Sequence, residues 1–148
     1  MLADLKNPAD YVTRLDKSWS HPYAVDIAVL HTEKMTDGHI GNKAFKLSRV
    51  MNELSTGDRV LSFGGAWSNH LHALAYLCHQ RGISTVGIIR AGESGTNALQ
   101  ASMQSYNMQV HPVSRGDYRR RDDLRFCEAL CRDFGCCLLY TSPSPRDS

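Results

Sequence analysis

Gly41-Asn42-Lys43-Ala44-Phe45-Lys46-Leu47 and Ser62-Phe63-Gly64-Gly65-Ala66-Trp67-Ser68-Asn69-His70 are the two runs on which the reading of this chain turns. The first sets a lysine in the opening turn of a helix. Leu47, Val50, Met51 and Leu54 fall at i, i+3, i+4 and i+7, one apolar face, so the spacing predicts a helix over Lys43–Leu54 with Gly57 as its stop. The second run is a strand (Val60–Phe63), a glycine turn and the start of a helix over Ser68–Arg81. Leu71, Leu74, Ala75 and Cys78 repeat the apolar spacing there, and Gly82 ends it. Glycines between a strand and a helix let ligand atoms approach the backbone, beside the free N–H groups of the helix start. Ser68 and Asn69 fall on that first turn, aimed at the same ligand.

Working outward, strands and helices alternate. Val25–Leu30 reads as a strand and Thr36-Asp37-Gly38 as a turn leading into the lysine segment. Strands follow at Thr85–Ile89 and Gln109–Val113, with helices over Thr96–Tyr106 and Asp117–Phe134. Leu99, Met103 and Tyr106 share a face of the former, and Leu124, Cys127, Cys131 and Phe134 one of the latter. Short apolar strands separated by helices predict an α/β fold, an open parallel sheet with helices on both faces. Residues 1–24, polar and broken by Pro8 and Pro22, read as loosely organised.

Composition narrows the function classes. The chain has 148 residues, 42% hydrophobic and 22% charged, which suits one globular domain. Its net charge is +2 and no basic run interleaves with aromatics, so no nucleic-acid partner is expected. The densest cluster, Arg115 and Arg119 to Arg121, meets Asp122 and Asp123 and reads as a solvated helix face. No apolar run could span a bilayer, no signal-peptide core is present, and five cysteines fit reduced thiols, so a cytoplasmic location without membrane partners is expected. His70 and His72 lie two apart, on different sides of a helix, and His72 and His79 lack a third ligand. Cys127 and Cys131 share their stripe with Leu124 and Phe134 and read as core thiols, so no metal is expected. Ser68 is not in a Gly-x-Ser-x-Gly elbow. Gly64-Gly65 does not make the G-x-G-x-x-G of a dinucleotide site.

Alone, a lysine at a helix start is usually a surface charge, and a Gly-Gly turn is usually a connection. In this order, however, Gly-Asn-Lys-x-x-Lys-Leu and Phe-Gly-Gly-x-x-Ser-Asn-His resemble the pyridoxal-phosphate enzymes grouped as 1-aminocyclopropane-1-carboxylate deaminase and D-cysteine desulfhydrase. The likeness continues through Thr85–Glu93 and Met108–Arg115, covering residues 22–135. It implies the N-terminal part of a two-domain, tryptophan-synthase-beta-like fold (fold type II) and pyridoxal 5'-phosphate as cofactor. By this resemblance Lys43 holds the cofactor and moves the Cα proton, and Lys46 is an electrostatic neighbour. Asn69 hydrogen-bonds the ring oxygen and also contacts the substrate, and Gly64 and Gly65 bind the cofactor through their backbone. Ser68 contacts the substrate carboxylate or reacting carbon, and His70 forms a wall or carboxylate contact. Ser68 alone also reads as an N-cap, and could be both. Lys43 is expected to face Ser68 and Asn69 across a cleft.

The implied activity is deamination or desulfhydration of a small amino acid, releasing ammonia and a 2-oxo acid, by a full-length homodimer. Another fold-type-II lyase or dehydratase, or a non-catalytic Rossmann-like binding module, are the competing readings. Relatives commonly carry a basic-acidic run where this chain has His31-Thr32-Glu33-Lys34. Their glycine-rich phosphate cup and pyridine-nitrogen partner lie downstream of the matched region. The alternation predicts another buried strand after Gly135, but a Pro/Ser-rich tail follows, and Cys137–Asp147 resembles one reading frame of a sequencing-library transposon adapter. The expected organisation is therefore 1–46 as the lysine-bearing segment, 47–136 as the sheet domain and 137–148 as a non-native tail. This chain is expected to be an inactive fragment.

Overall fold

The computed structural model describes residues 7–15, 26–35, 42–92 and 96–139. The expected Thr36–Gly38 turn, Pro22, the start of the first strand at Val25, Gly41, Glu93 and the tail from Tyr140 onward lie outside these residues.

The core is a four-stranded, wholly parallel sheet. β3 (Arg59–Gly64) and β4 (Ser84–Arg90) are its centre, β5 (Met108–Val113) lies beyond β4, and β6 (Cys137–Leu138) lies beyond β3. Val60 pairs with Thr85 and Leu61 with Val86, so side chains alternate between two apolar layers. Val60 and Ile89 face one layer with α2 (Lys43–Glu53), α3 (Asn69–His79) and α4 (Ala98–Ser105), through Leu47, Met51, Leu71, Leu74, Cys78 and Met103. Leu61, Val86 and Ile88 face the other layer, under Leu130 and Phe134 of α6 (Leu124–Phe134). The expected fold class, a parallel sheet with helices on both faces, is the one observed.

Two glycines decide how closely α3 sits. A Cβ on Gly64 would come within 2.8 Å of Leu71 Cδ1, and one on Gly87 within 3.3 Å of the same atom. Fully buried Leu71 thus uses the space that two missing side chains leave on neighbouring strands.

The helix expected over Asp117–Phe134 is broken. α5 spans Arg115–Arg119, a 3-10 turn covers Arg120–Asp122, and α6 starts at Leu124. Asp123 is the cause: its backbone is extended and its carboxylate accepts the N–H groups of Arg125 (3.0 Å) and Phe126 (3.4 Å). Leu124, expected on the buried stripe, sits just after this cap and is 63% exposed. The far end matches expectation: Gly135 is left-handed, and its N–H and that of Cys136 close on Arg132 and Cys131 carbonyls.

At the N-terminal end the stretch read as loose contains a 3-10 turn (Pro8–Tyr11) and β1 (Val12–Arg14). β1 pairs antiparallel with β2 (Ala28–Leu30), and α1 (Thr32–Met35) follows. After Gly135, where the pattern gives out, Cys137 and Leu138 pair with Val60 and Leu61, and Leu139 is buried. So short a pairing requires only extended chain with apolar side chains, whatever the origin of its codons. α2 runs unbroken across position 46, so Lys43 is carried on a helix that packs into the sheet domain.

Candidate active site

In a parallel sheet every strand ends on the same edge, and that edge is where connections into helices can surround a ligand. β3 ends at Gly64, the turn Gly65-Ala66-Trp67 follows, and Ser68 caps α3. The Ser68 oxygen accepts the Leu71 N–H at 3.2 Å, and Ser68 N–H donates to the Gly65 carbonyl at 3.2 Å. A Cβ on Gly64 would lie 2.5 Å from Ser68 Oγ, so the close approach of cap to strand requires glycine there. At Gly65 the same construction meets nothing within 4 Å. Of the pair, Gly64 makes room for the protein itself and Gly65 leaves room for something else.

α2 reaches this edge from the opposite direction in sequence. It leads through Ser55–Asp58 into the start of β3, so it runs antiparallel to that strand, as α3 does after it. The two helices are tied at their C-terminal ends. Arg81 donates to the carbonyls of Met51 and Leu54, and Cys78 Sγ lies 3.9 Å from Met51 Sδ. Lys43 is about 12 Å of helix before Met51 and Asn69 about 13.5 Å before Cys78, from the 1.5 Å rise per residue. Leu47 of α2 and Leu71 and Leu74 of α3 share one core cluster, so both helices lie on the same face of the sheet along this length.

Ser68, Asn69 and His70 stand together at the start of α3, and Lys43 opens α2, which packs in the same core cluster as α3; their exposures differ. Lys43 is half-buried, Lys46 exposed, and Asn69 exposed at the first position of α3. Ser68 is 1% exposed and serves as the cap. The His70 imidazole leans back onto β3, its Nε2 3.0 Å from Ser62 Oγ.

Two residues that sequence reasoning did not single out complete the edge. Asn97 caps α4 through Oδ1, which accepts the Gln100 N–H at 2.9 Å, while its Nδ2 donates to the Ala66 carbonyl at 2.7 Å. Gln100, 7% exposed, adds a second amide donor to that carbonyl at 3.4 Å. The capping role was legible as Asn before an apolar helix face. The reach to Ala66 had no local signal.

Burial pushes the Cys78 thiol up to about 12, with Arg81 opposing it only in part. Burial, with Cys136 adding to it, carries Cys131 to about 11, and burial raises Cys127 and Cys136 too. Thiols so placed stay protonated near neutrality and are poor nucleophiles. His72 and His79 lie edge-on or tilted against Tyr106, and among the described residues no group of three metal-ligating side chains occurs. No helix among the described residues is long and apolar enough to cross a membrane.

No family model matches the chain, and no curated protein matches it by sequence. Solved structures do. O-ureido-L-serine synthase superposes with a TM-score of 0.60 at 17% identity, over 86% of this chain and 39% of that one. Diaminopropionate ammonia lyase from Escherichia coli, in complex with an aminoacrylate-PLP azomethine reaction intermediate, gives 0.58 at 13%, over 93% and 37%. A hydrogen sulfide-producing enzyme from Fusobacterium nucleatum gives 0.54 at 14%, over 76% and 34%. The chain spans well under half the length of each. Its fold is that of the N-terminal part of the two-domain, fold-type-II pyridoxal-phosphate enzymes.

Proposed function

We propose that this chain is the N-terminal part of a pyridoxal-phosphate-dependent lyase acting on a small amino acid of the D-cysteine or 1-aminocyclopropane-1-carboxylate type. It would release ammonia and a 2-oxo acid. The observation that supports this reading is that half-buried Lys43 and exposed Asn69 each open a helix, and the two helices pack in one core cluster on the same face of the sheet. The open space at Gly65 beside them fits the requirement for a flat ring close to backbone.

Bound there, the cofactor supplies an electron sink for the carbon that bears the substrate amine. Lys43 would supply the amine that holds the cofactor and the base that would take or return the Cα proton. The exposed Asn69 carboxamide would offer an N–H donor to the ring oxygen. Ser68 fixes the turn by capping α3, and at 1% exposure it is too buried here to make the substrate-carboxylate contact expected of it. Lys46, exposed one turn along, adds positive charge without entering the chemistry. Hydrogen sulfide production and ammonia elimination by the structural neighbours favour a lyase over the binding-module alternative.

The test is to express a polypeptide that continues this chain to the length of its neighbours and assay ammonia and 2-oxo acid release from both substrates. Turnover that disappears in Lys43→Ala and survives in Lys46→Ala supports the reading. Turnover retained in Lys43→Ala refutes it.

A further inference from the structure

We propose that Asn97 is a positioning residue for the Gly65–Trp67 turn, holding the start of α3, and with it Asn69, in a single arrangement. The relevance of this to a cofactor rests on the function proposed above; the clamp itself does not.

The turn has little apolar packing to define it. Trp67 is 69% exposed, and Gly65 looks onto open space. Its shape is therefore left to hydrogen bonds, and within it the Ser68 N–H to the Gly65 carbonyl closes only one end. The Ala66 carbonyl is held from outside the turn by the amides of Asn97 (2.7 Å) and Gln100 (3.4 Å). A trans peptide sets C=O and N–H in opposite directions, so a carbonyl held toward α4 sends the Trp67 N–H away from α4. Two bonds from a neighbouring helix start thereby define the peptide plane that precedes Ser68.

The residue type supports the assignment. Asp, Ser and Asn cap helices about equally well, and this chain uses Ser68, Ser114 and Asp123 for α3, α5 and α6. Of these types only Asn carries an N–H donor beside the capping oxygen. At position 97 both halves of the carboxamide are used. A cap alone would not need the second half.

Asn97→Asp keeps the cap and replaces the donor with an oxygen facing the Ala66 carbonyl, and Asn97→Ser keeps a neutral cap without the reach. Hydrogen exchange by mass spectrometry, on the 148-residue chain at micromolar concentration, should show peptides spanning residues 65–71 exchanging at least fivefold faster in both variants. Peptides at the start of α4 should be unchanged, because the cap survives. Exchange within twofold of the parent in either folded variant overturns the clamp, as does equal acceleration at the start of α4. Pyridoxal phosphate titrated into the extended polypeptide by absorbance should show a loss of affinity of similar factor. A parent that binds no cofactor would sink the proposed function and leave the exchange result to decide the clamp.

Discussion

Gly64→Ala is the substitution whose cost the structure specifies most closely. An added Cβ would lie 2.5 Å from Ser68 Oγ, 2.6 Å from Ser68 Cβ and 2.8 Å from Leu71 Cδ1. Carbon contacts are comfortable at about 3.5 Å, so neighbours on two residues must retreat by roughly 0.7–1 Å. Leu71 is fully buried, which puts the strain in the usual overpacking range of about 1–3 kcal/mol. Moving Ser68 away breaks its bond to the Leu71 N–H and removes a cap worth about 1 kcal/mol. The sum is about 2–4 kcal/mol. At about 2–4 °C per kcal/mol for a chain of this size, melting should fall by about 4–16 °C. Circular dichroism on heating measures this, with a urea midpoint as the second reading. A Gly64→Ala melting temperature within 2 °C of the parent would refute the claim that close approach of strand and cap organises this edge.

Gly65→Ala should leave the melting temperature within about 2 °C, since a Cβ there meets nothing within 4 Å, yet weaken pyridoxal phosphate binding in the extended polypeptide about tenfold. Cofactor titration by absorbance separates the two effects. An unfolded thiol titrates near about 8.5 whereas folded Cys78 is pushed up to about 12, so between these values the unfolded state has lost a proton that the folded state keeps. Stability is therefore full below about pH 8.5 and falls as pH rises toward about 12, by at most about 1.4 kcal/mol per pH unit for this thiol. Urea midpoints across that range should show the slope, and Cys78→Ala should flatten it. Asp123→Ala should cost about 1 kcal/mol, because two α6 N–H groups lose their acceptor, and thermal melting checks it. The 148-residue chain alone should bind the cofactor weakly, show no turnover and tend to aggregate. β6 covers only Val60 and Leu61 of the β3 edge, and Val12, Leu15, Val29 and Leu30 are exposed. Light scattering and an ammonia assay test that directly.

Much of the sheet was legible because its signals are local and repeated. The helix expected over Lys43–Leu54 is Lys43–Glu53, and the strand expected over Val60–Phe63 is Arg59–Gly64. Glycine stops at positions 57, 82 and 135 all adopt positive φ. The misses arise where a periodic pattern is too short or is overruled by one side chain. Val12–Arg14 is three residues long, below the length at which alternation means anything. Asp123 interrupts a stripe that periodicity alone would carry from Asp117 to Phe134, and its preference for the cap position was the available warning. At the site, strand–helix alternation was the ground for expecting Lys43 and Asn69 at one edge. The Ser62–His70 and Ala66–Asn97 bonds are tertiary, and nothing local in sequence announces them.

The most direct measurement uses the extended polypeptide loaded with pyridoxal phosphate. Visible absorbance of the bound cofactor is recorded for the parent, Lys43→Ala and Lys46→Ala, followed by borohydride reduction and peptide mapping. If Lys43 is the anchor, the parent and Lys46→Ala show the band and carry the label on Lys43, and Lys43→Ala loses both. A band that persists in Lys43→Ala, with the label mapped to another lysine, would contradict the assignment of this edge as the cofactor site.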